Sequence, residues 1–210
     1  MTTHFQVPGK DIIAALPLFP SLGLADIVLP ASAEQIEFAL AELKAQPYLG
    51  FDTESKPTFR KGEVSDGPHL VQFATPNKAY LFQTHNPLAQ TAIAELLHTP
   101  QIAKLGFGLS NDTSQLKQKF GIHPQNLVDL DRNFRQLGYK NSVGAKSAIA
   151  ILFQQRFAKS KSISTSNWSL PRLSERQVIY AGNDAYAAIR VFLALQAGLH
   201  PKPKVANADE

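Results

Sequence analysis

Apolar positions along the chain recur with two periods, one suited to helices and one to strands. Ile36, Leu40 and Leu43 lie three and four residues apart behind Ser32, and Gln35 stands where a capping box needs it. That pattern predicts a helix running to about residue 45. Tyr48-Leu49-Gly50-Phe51-Asp52 is a short apolar run ending in acid and predicts a strand. Residues 69–74 and 78–82 predict two more strands, joined at Thr75-Pro76-Asn77 as a hairpin, after a Pro-, Gly- and charge-rich loop over 55–68. A helix is expected over 88–98, a strand over 102–106, a helix over 111–120 and a short strand over 128–130. Helix over 142–156, a polar Ser- and Lys-rich connection, and a long helix over 174–197 complete the pattern. Residues 1–30 show no sustained period and are expected to be an N-terminal arm that packs on the domain or is partly mobile. One domain is expected over 31–200, with a flexible tail over 201–210. Early strands, one hairpin and surrounding helices imply an α/β sandwich with a mixed sheet.

Composition narrows the possibilities. An apolar fraction of 44% in 210 residues is enough for an ordered core. No run of eighteen apolar residues occurs, and residues 1–10 lack the basic-then-apolar order of a signal peptide, so no membrane partner is expected. The sequence contains no cysteine, which excludes disulfides and thiolate metal sites and suits a cytoplasmic location. The net charge of +4 is modest, but it is unevenly spread. Arg132, Arg135, Lys140, Lys146, Arg156, Lys159, Lys161, Arg172 and Arg176 are opposed within their stretch only by Glu175. Such a surplus suits a polyanion, although a solvated basic face has the same composition.

The acids carry the chemistry. Asp52 and Glu54 are two residues apart at a strand end, so both side chains point to one sheet face. Their mutual repulsion is relieved by a divalent cation, although an exposed acidic strand end has the same pattern. Tyr180 and Asp184 are spaced one helical turn apart, with Ala181, Gly182 and Ala185 small enough for close helix packing. Asp112 opens a helix, where an acid also serves simply as a dipole partner.

Taken in order, these segments resemble the DEDD superfamily of 3′→5′ exonucleases in its tyrosine-type branch, especially RNase D and Werner-type exonuclease domains. Phe51-Asp52-Thr53-Glu54 matches the first motif, Gly106-Phe107-Gly108-Leu109-Ser110-Asn111-Asp112 the second, and Tyr180-Ala181-Gly182-Asn183-Asp184-Ala185 the third. The stretch from Lys159 to Trp168, with its Ser166-Asn167-Trp168, is similar to the connection in Werner-type domains. Leu173-Ser174-Glu175-Arg176-Gln177 matches the opening of the last helix, and Gln72 falls where the family has a Gln on its second strand. Ser55-Lys56 departs from the family, which often carries an aromatic residue there.

The resemblance implies a ribonuclease-H-like fold, a central mixed β-sheet flanked by α-helices. It implies a hydrolase that removes 5′-mononucleotides from single-stranded DNA or RNA 3′ ends, with DNA favoured, and a place in DNA repair. RNase D-like RNA trimming and a catalytically silent nucleic-acid-binding module are the alternatives. Asp52, Glu54, Asp112 and Asp184 are the implied ligands of two Mg²⁺ or Mn²⁺ ions, and Tyr180 the implied orienter of the attacking water. Lys159, Lys161 and Arg172 are expected to contact nucleic acid, and Trp168 either stacks a base or anchors its loop in the core.

Overall fold

The alternating and helical segments sort onto one sheet and its two faces. The computed structural model describes residues 5–58, 62 and 65–199. Among them, the strands are β1 (Ile27–Val28), β2 (Tyr48–Glu54), β3 (Leu70–Ala74), β4 (Ala79–Gln83), β5 (Ala103–Gly106) and β6 (Leu127–Asp129). They form one sheet in the order β1-β4-β3-β2-β5-β6. β2, β3 and β4 are antiparallel neighbours, whereas β1 joins β4, β5 joins β2 and β6 joins β5 in parallel. The hairpin at Thr75-Pro76-Asn77 is present, with Ala74 opposite Ala79 and Leu70 opposite Gln83. A mixed sheet in an α/β fold is therefore both expected and observed.

The helices are α1 (Lys10–Ala14), α2 (Ala33–Lys44), α3 (Pro87–His98), α4 (Ser110–Phe120), α5 (Leu130–Gln136), α6 (Ala145–Phe153), α7 (Lys161–Ser164) and α8 (Glu175–Gln196). Ser32 caps α2 as expected, accepting from the Gln35 N–H while the Gln35 side chain returns to Ser32. On one sheet face α2, α3 and α4 enclose Leu43, Phe51, Phe73, Phe82 and Leu97. On the other, α5, α6 and α8 enclose Leu70, Leu81, Phe134, Ile149, Ala185 and Ile189. The alternation along β2 and β3 divides side chains between these two cores.

α8 organises the second core. Its length and hydropathy match a membrane span, yet 72% of that apolar window is buried inside the domain. It crosses β2 at Gly50, where a Cβ would lie 1.9 Å from the Ala185 carbonyl oxygen. Only glycine admits the helix backbone that closely.

Several short elements fall outside the expected pattern. Residues 1–30, expected as an arm, contain α1 and supply edge strand β1; Phe19, Leu22 and Ile27 are buried against the domain. A two-residue strand is too short to show a period. Within the arm, Leu22 donates its N–H to Asn183 Oδ1 at 2.8 Å and accepts from Asn183 Nδ2 at 3.1 Å. α5 is a further helix beyond the expected set, burying only Leu130 and Phe134. α6 is shorter than the expected 142–156, because it starts after Gly144 and ends where Gln154 turns left-handed at φ 54°. The polar connection contains the single turn α7. The expected tail over 201–210 lies outside the described residues, as does part of the loop over 55–68.

Candidate active site

Asp52 and Glu54 both lie within β2, which runs two residues further than expected, and they share the face covered by α8. Tyr180 and Asp184 project from α8 one turn apart. The close crossing of Ala185 over Gly50 carries the neighbouring Asp184 down to the strand. As a result, one carboxylate oxygen from each of Asp52, Glu54 and Asp184 lies within 4.8 Å of the other two.

Asp112 is brought close by a different route. It sits in the first turn of α4, on the opposite sheet face. Thr53 points away from Asp52 and Glu54 by strand alternation, and its hydroxyl donates to Asp112 Oδ1 at 2.5 Å. The loop entering α4 is fixed by Asp129, whose carboxylate accepts from the Gly108 N–H at 3.0 Å and the Leu109 N–H at 3.3 Å. Neither Thr53 nor Asp129 stands out in the sequence. Their only signals there are a threonine between two acids and an acid closing a short strand.

The electrostatics follow from crowding. Burial, then the Asp184 and Asp112 charges, hold the Asp52 carboxyl well above the usual carboxylate range. Burial, then Asp52 and Asp184, push Glu54 up to about 10. Burial also raises Asp184, against the pull of Lys159, and raises Asp112, against the Thr53 hydroxyl. Tyr180 is raised by burial and then by Asp184, so its phenol keeps its proton. A centre whose acids resist ionisation this strongly calls for positive charge.

These residues fit a hard divalent cation. The donors are all carboxylate oxygens, and Asp184 Oδ1 is buried with no hydrogen-bond partner. An unpaired buried acceptor is costly, and a bound cation satisfies it. A cavity of about 220 Å³, lined by Asp52, Phe107, Gly144, Lys159 and Asp184 among others, opens onto the cluster. Gln72, directly opposite Asp52 in the ladder, is fully buried, and neither polar atom of its amide has a partner. A larger hollow of about 440 Å³ between α3 and α4 contains Lys119 but no acid.

The expected nucleic-acid contacts separate into three environments. Lys161 and Arg172 are exposed. Lys159 turns inward instead, with Nζ 2.7 Å from Asp184 Oδ2 and 5.3 Å from the Tyr180 ring centroid. Trp168 is 1% exposed, lies 5.9 Å from the Tyr180 ring and donates from Nε1 to the Ser164 carbonyl at 3.2 Å. Its buried indole leaves no face for a base, which corrects the stacking expectation in favour of a core anchor.

The mouse bifunctional 3′-5′ exonuclease/ATP-dependent helicase WRN is 28% identical over 149 residues, covering 70% of this chain and 11% of that protein. A Ribonuclease D from Pseudomonas paraeruginosa is 28% identical over 158 residues, covering 75% of this chain and 41% of that one. The chain thus spans less than half the length of these two relatives. The fold matches the Aedes aegypti Nibbler EXO domain with a TM-score of 0.72 and 23% identity, covering 85% of this chain and 90% of that one. With the family model for 3′-5′ exonucleases matching residues 27–200, the acids on β2 and α8 fall inside the matched span, and the chain belongs to the 3′-5′ exonuclease family.

Proposed function

We propose that this protein hydrolyses phosphodiester bonds at nucleic-acid 3′ ends and releases 5′-mononucleotides, using two divalent ions and favouring DNA. The observation that carries the reading is the convergence of Asp52, Glu54 and Asp184 within 4.8 Å, in a chain of the 3′-5′ exonuclease family. Asp52, Glu54 and Asp184, with Asp112 beside them, would hold the Mg²⁺ or Mn²⁺ ions. When bound, the ions supply Lewis acidity and a water that ionises near neutral pH.

The chain's own groups do the positioning. Tyr180, whose phenol burial keeps protonated, orients the attacking water through its hydroxyl rather than acting as a phenolate base. Thr53 holds Asp112 in place, and Asp129 fixes the turn before it. Exposed Lys161 and Arg172 supply charge for the phosphate backbone. The preference for DNA is supported by the Werner-type connection from Lys159 to Trp168. RNA 3′-end trimming is the second reading, favoured by an equal identity to a Ribonuclease D.

The test is degradation of 5′-labelled DNA and RNA strands with Mg²⁺, Mn²⁺ or EDTA. Metal-dependent ladders shortening from the 3′ end are expected, faster on DNA, and lost in Asp52→Asn and Asp184→Asn. Faster loss of RNA would select the second reading. No cleavage of either strand with either metal would overturn the proposal and leave a silent binding module.

A further inference from the structure

The basic stretch around Lys159 suggests a nucleic-acid-binding surface, yet this lysine lies in the acidic centre. Its Nζ makes an ion pair of 2.7 Å with Asp184 Oδ2, and its side chain is 32% exposed where that of Asp184 is 2%. The ammonium also stands over the Tyr180 ring at 5.3 Å and lines the cavity beside Asp52.

We propose that Lys159 is the resident counter-ion of Asp184, competing with divalent metal for the centre and leaving it when metal binds. The inference rests on the metal-centre reading above. Magnesium and manganese sit about 2.1 Å from their carboxylate oxygens. An ammonium on the same carboxylate would then face a doubly charged ion across a few ångströms of poorly screened space. The chain supplies both the anchor and the freedom for such a swing. The backbone before Lys159 is pinned, with the Arg156 N–H donating to Pro17 O at 2.8 Å and Phe157 buried. The lysine stem itself is flexible and one-third exposed, so the charge can move to water or to a phosphate without disturbing the fold.

The competition is read without turnover by isothermal titration of Mn²⁺ into the metal-free protein. Lys159→Met is expected to bind Mn²⁺ at least tenfold tighter than wild type, about 1.4 kcal/mol. Lys159→Arg, which keeps the charge, is expected to bind no tighter than wild type. Unchanged or weaker binding in Lys159→Met would overturn the proposal. If that variant does not fold, acylation footprinting of the wild-type protein gives the same answer. Lys159 is expected to become more reactive when Mn²⁺ saturates the protein, and an unchanged footprint would refute the displacement. Wild-type protein that binds no Mn²⁺ at all would overturn the metal-centre reading itself, whereas equal binding by all three proteins would overturn only the role of Lys159.

Discussion

Gly50→Ala tests whether one missing methyl group sets the geometry of the acidic centre. A Cβ at this position would meet the Ala185 carbonyl oxygen at 1.9 Å and the carbonyl carbon at 2.8 Å, both of them helix backbone that no rotamer change can move. Ordinary contact begins at 3.4 Å, so α8 must retreat by about 1.5 Å for the variant to fold. Overpacking of this kind costs about 1–3 kcal/mol. The functional loss is expected to be larger in proportion, because Asp184 is bonded to the residue that moves while Asp52 and Glu54 stay on the strand. A misplacement of about 1 Å at a reacting centre can cost on the order of 10²-fold. The assay compares kcat on a 5′-labelled oligonucleotide with Mn²⁺ affinity and Tm for the same preparation. Gly9→Ala is the control, since a Cβ there meets nothing within 4 Å. A folded Gly50→Ala protein with wild-type kcat and Mn²⁺ affinity would refute the argument that the close crossing places Asp184.

Tyr180→Phe is expected to lower kcat by about 10²-fold while leaving Mn²⁺ affinity and Tm close to wild type; an unchanged kcat would remove the hydroxyl from the mechanism. Trp168→Ala should cost about 3–5 kcal/mol in denaturant unfolding, because it empties a fully buried site and strips the Ser164 carbonyl of its donor. A loss below about 1 kcal/mol would show that the loop is not anchored there. In EDTA, stability is expected to fall as pH rises from 5 to 9. Burial and the neighbouring acids push Glu54 up to about 10 from an ordinary 4.5, so over this range the folded state holds the extra proton and each rise in pH favours unfolding. Saturating Mn²⁺ should remove that decline, and a Tm in EDTA that is flat over the same range would contradict the crowding of the acids.

The elements that carry a period are legible in the amino-acid sequence alone. Ser32 and Gln35 mark the start of α2, and the two-residue spacing of Asp52 and Glu54 puts them on one face because strand alternation is local. What the sequence conceals depends on partners distant along the chain. The hydroxyl of Thr53 reaches Asp112 across the sheet, and Lys159 meets an acid on another helix. A lysine in a basic stretch looks like surface charge until its neighbour in space is known. Trp168 and Gln72 belong to recognisable motifs, but only packing reveals that one is sealed in the core and the other is buried without a partner. β1 and α5 leave no trace in the pattern, because so few of their residues bury a face that no repeat can emerge.

Asn183 gives the boundary of the folding unit a physical meaning. Both its amide hydrogen and its carbonyl are used on Leu22, which lies upstream of the span shared with the family. The family model begins to match at residue 27, but the hydrogen bonds do not stop there. Cutting the chain where the family model begins would strip two hydrogen bonds from the residue next to Asp184. The folding unit is thus larger than the span of the family model, and its N-terminal strap is fastened beside one of its acids.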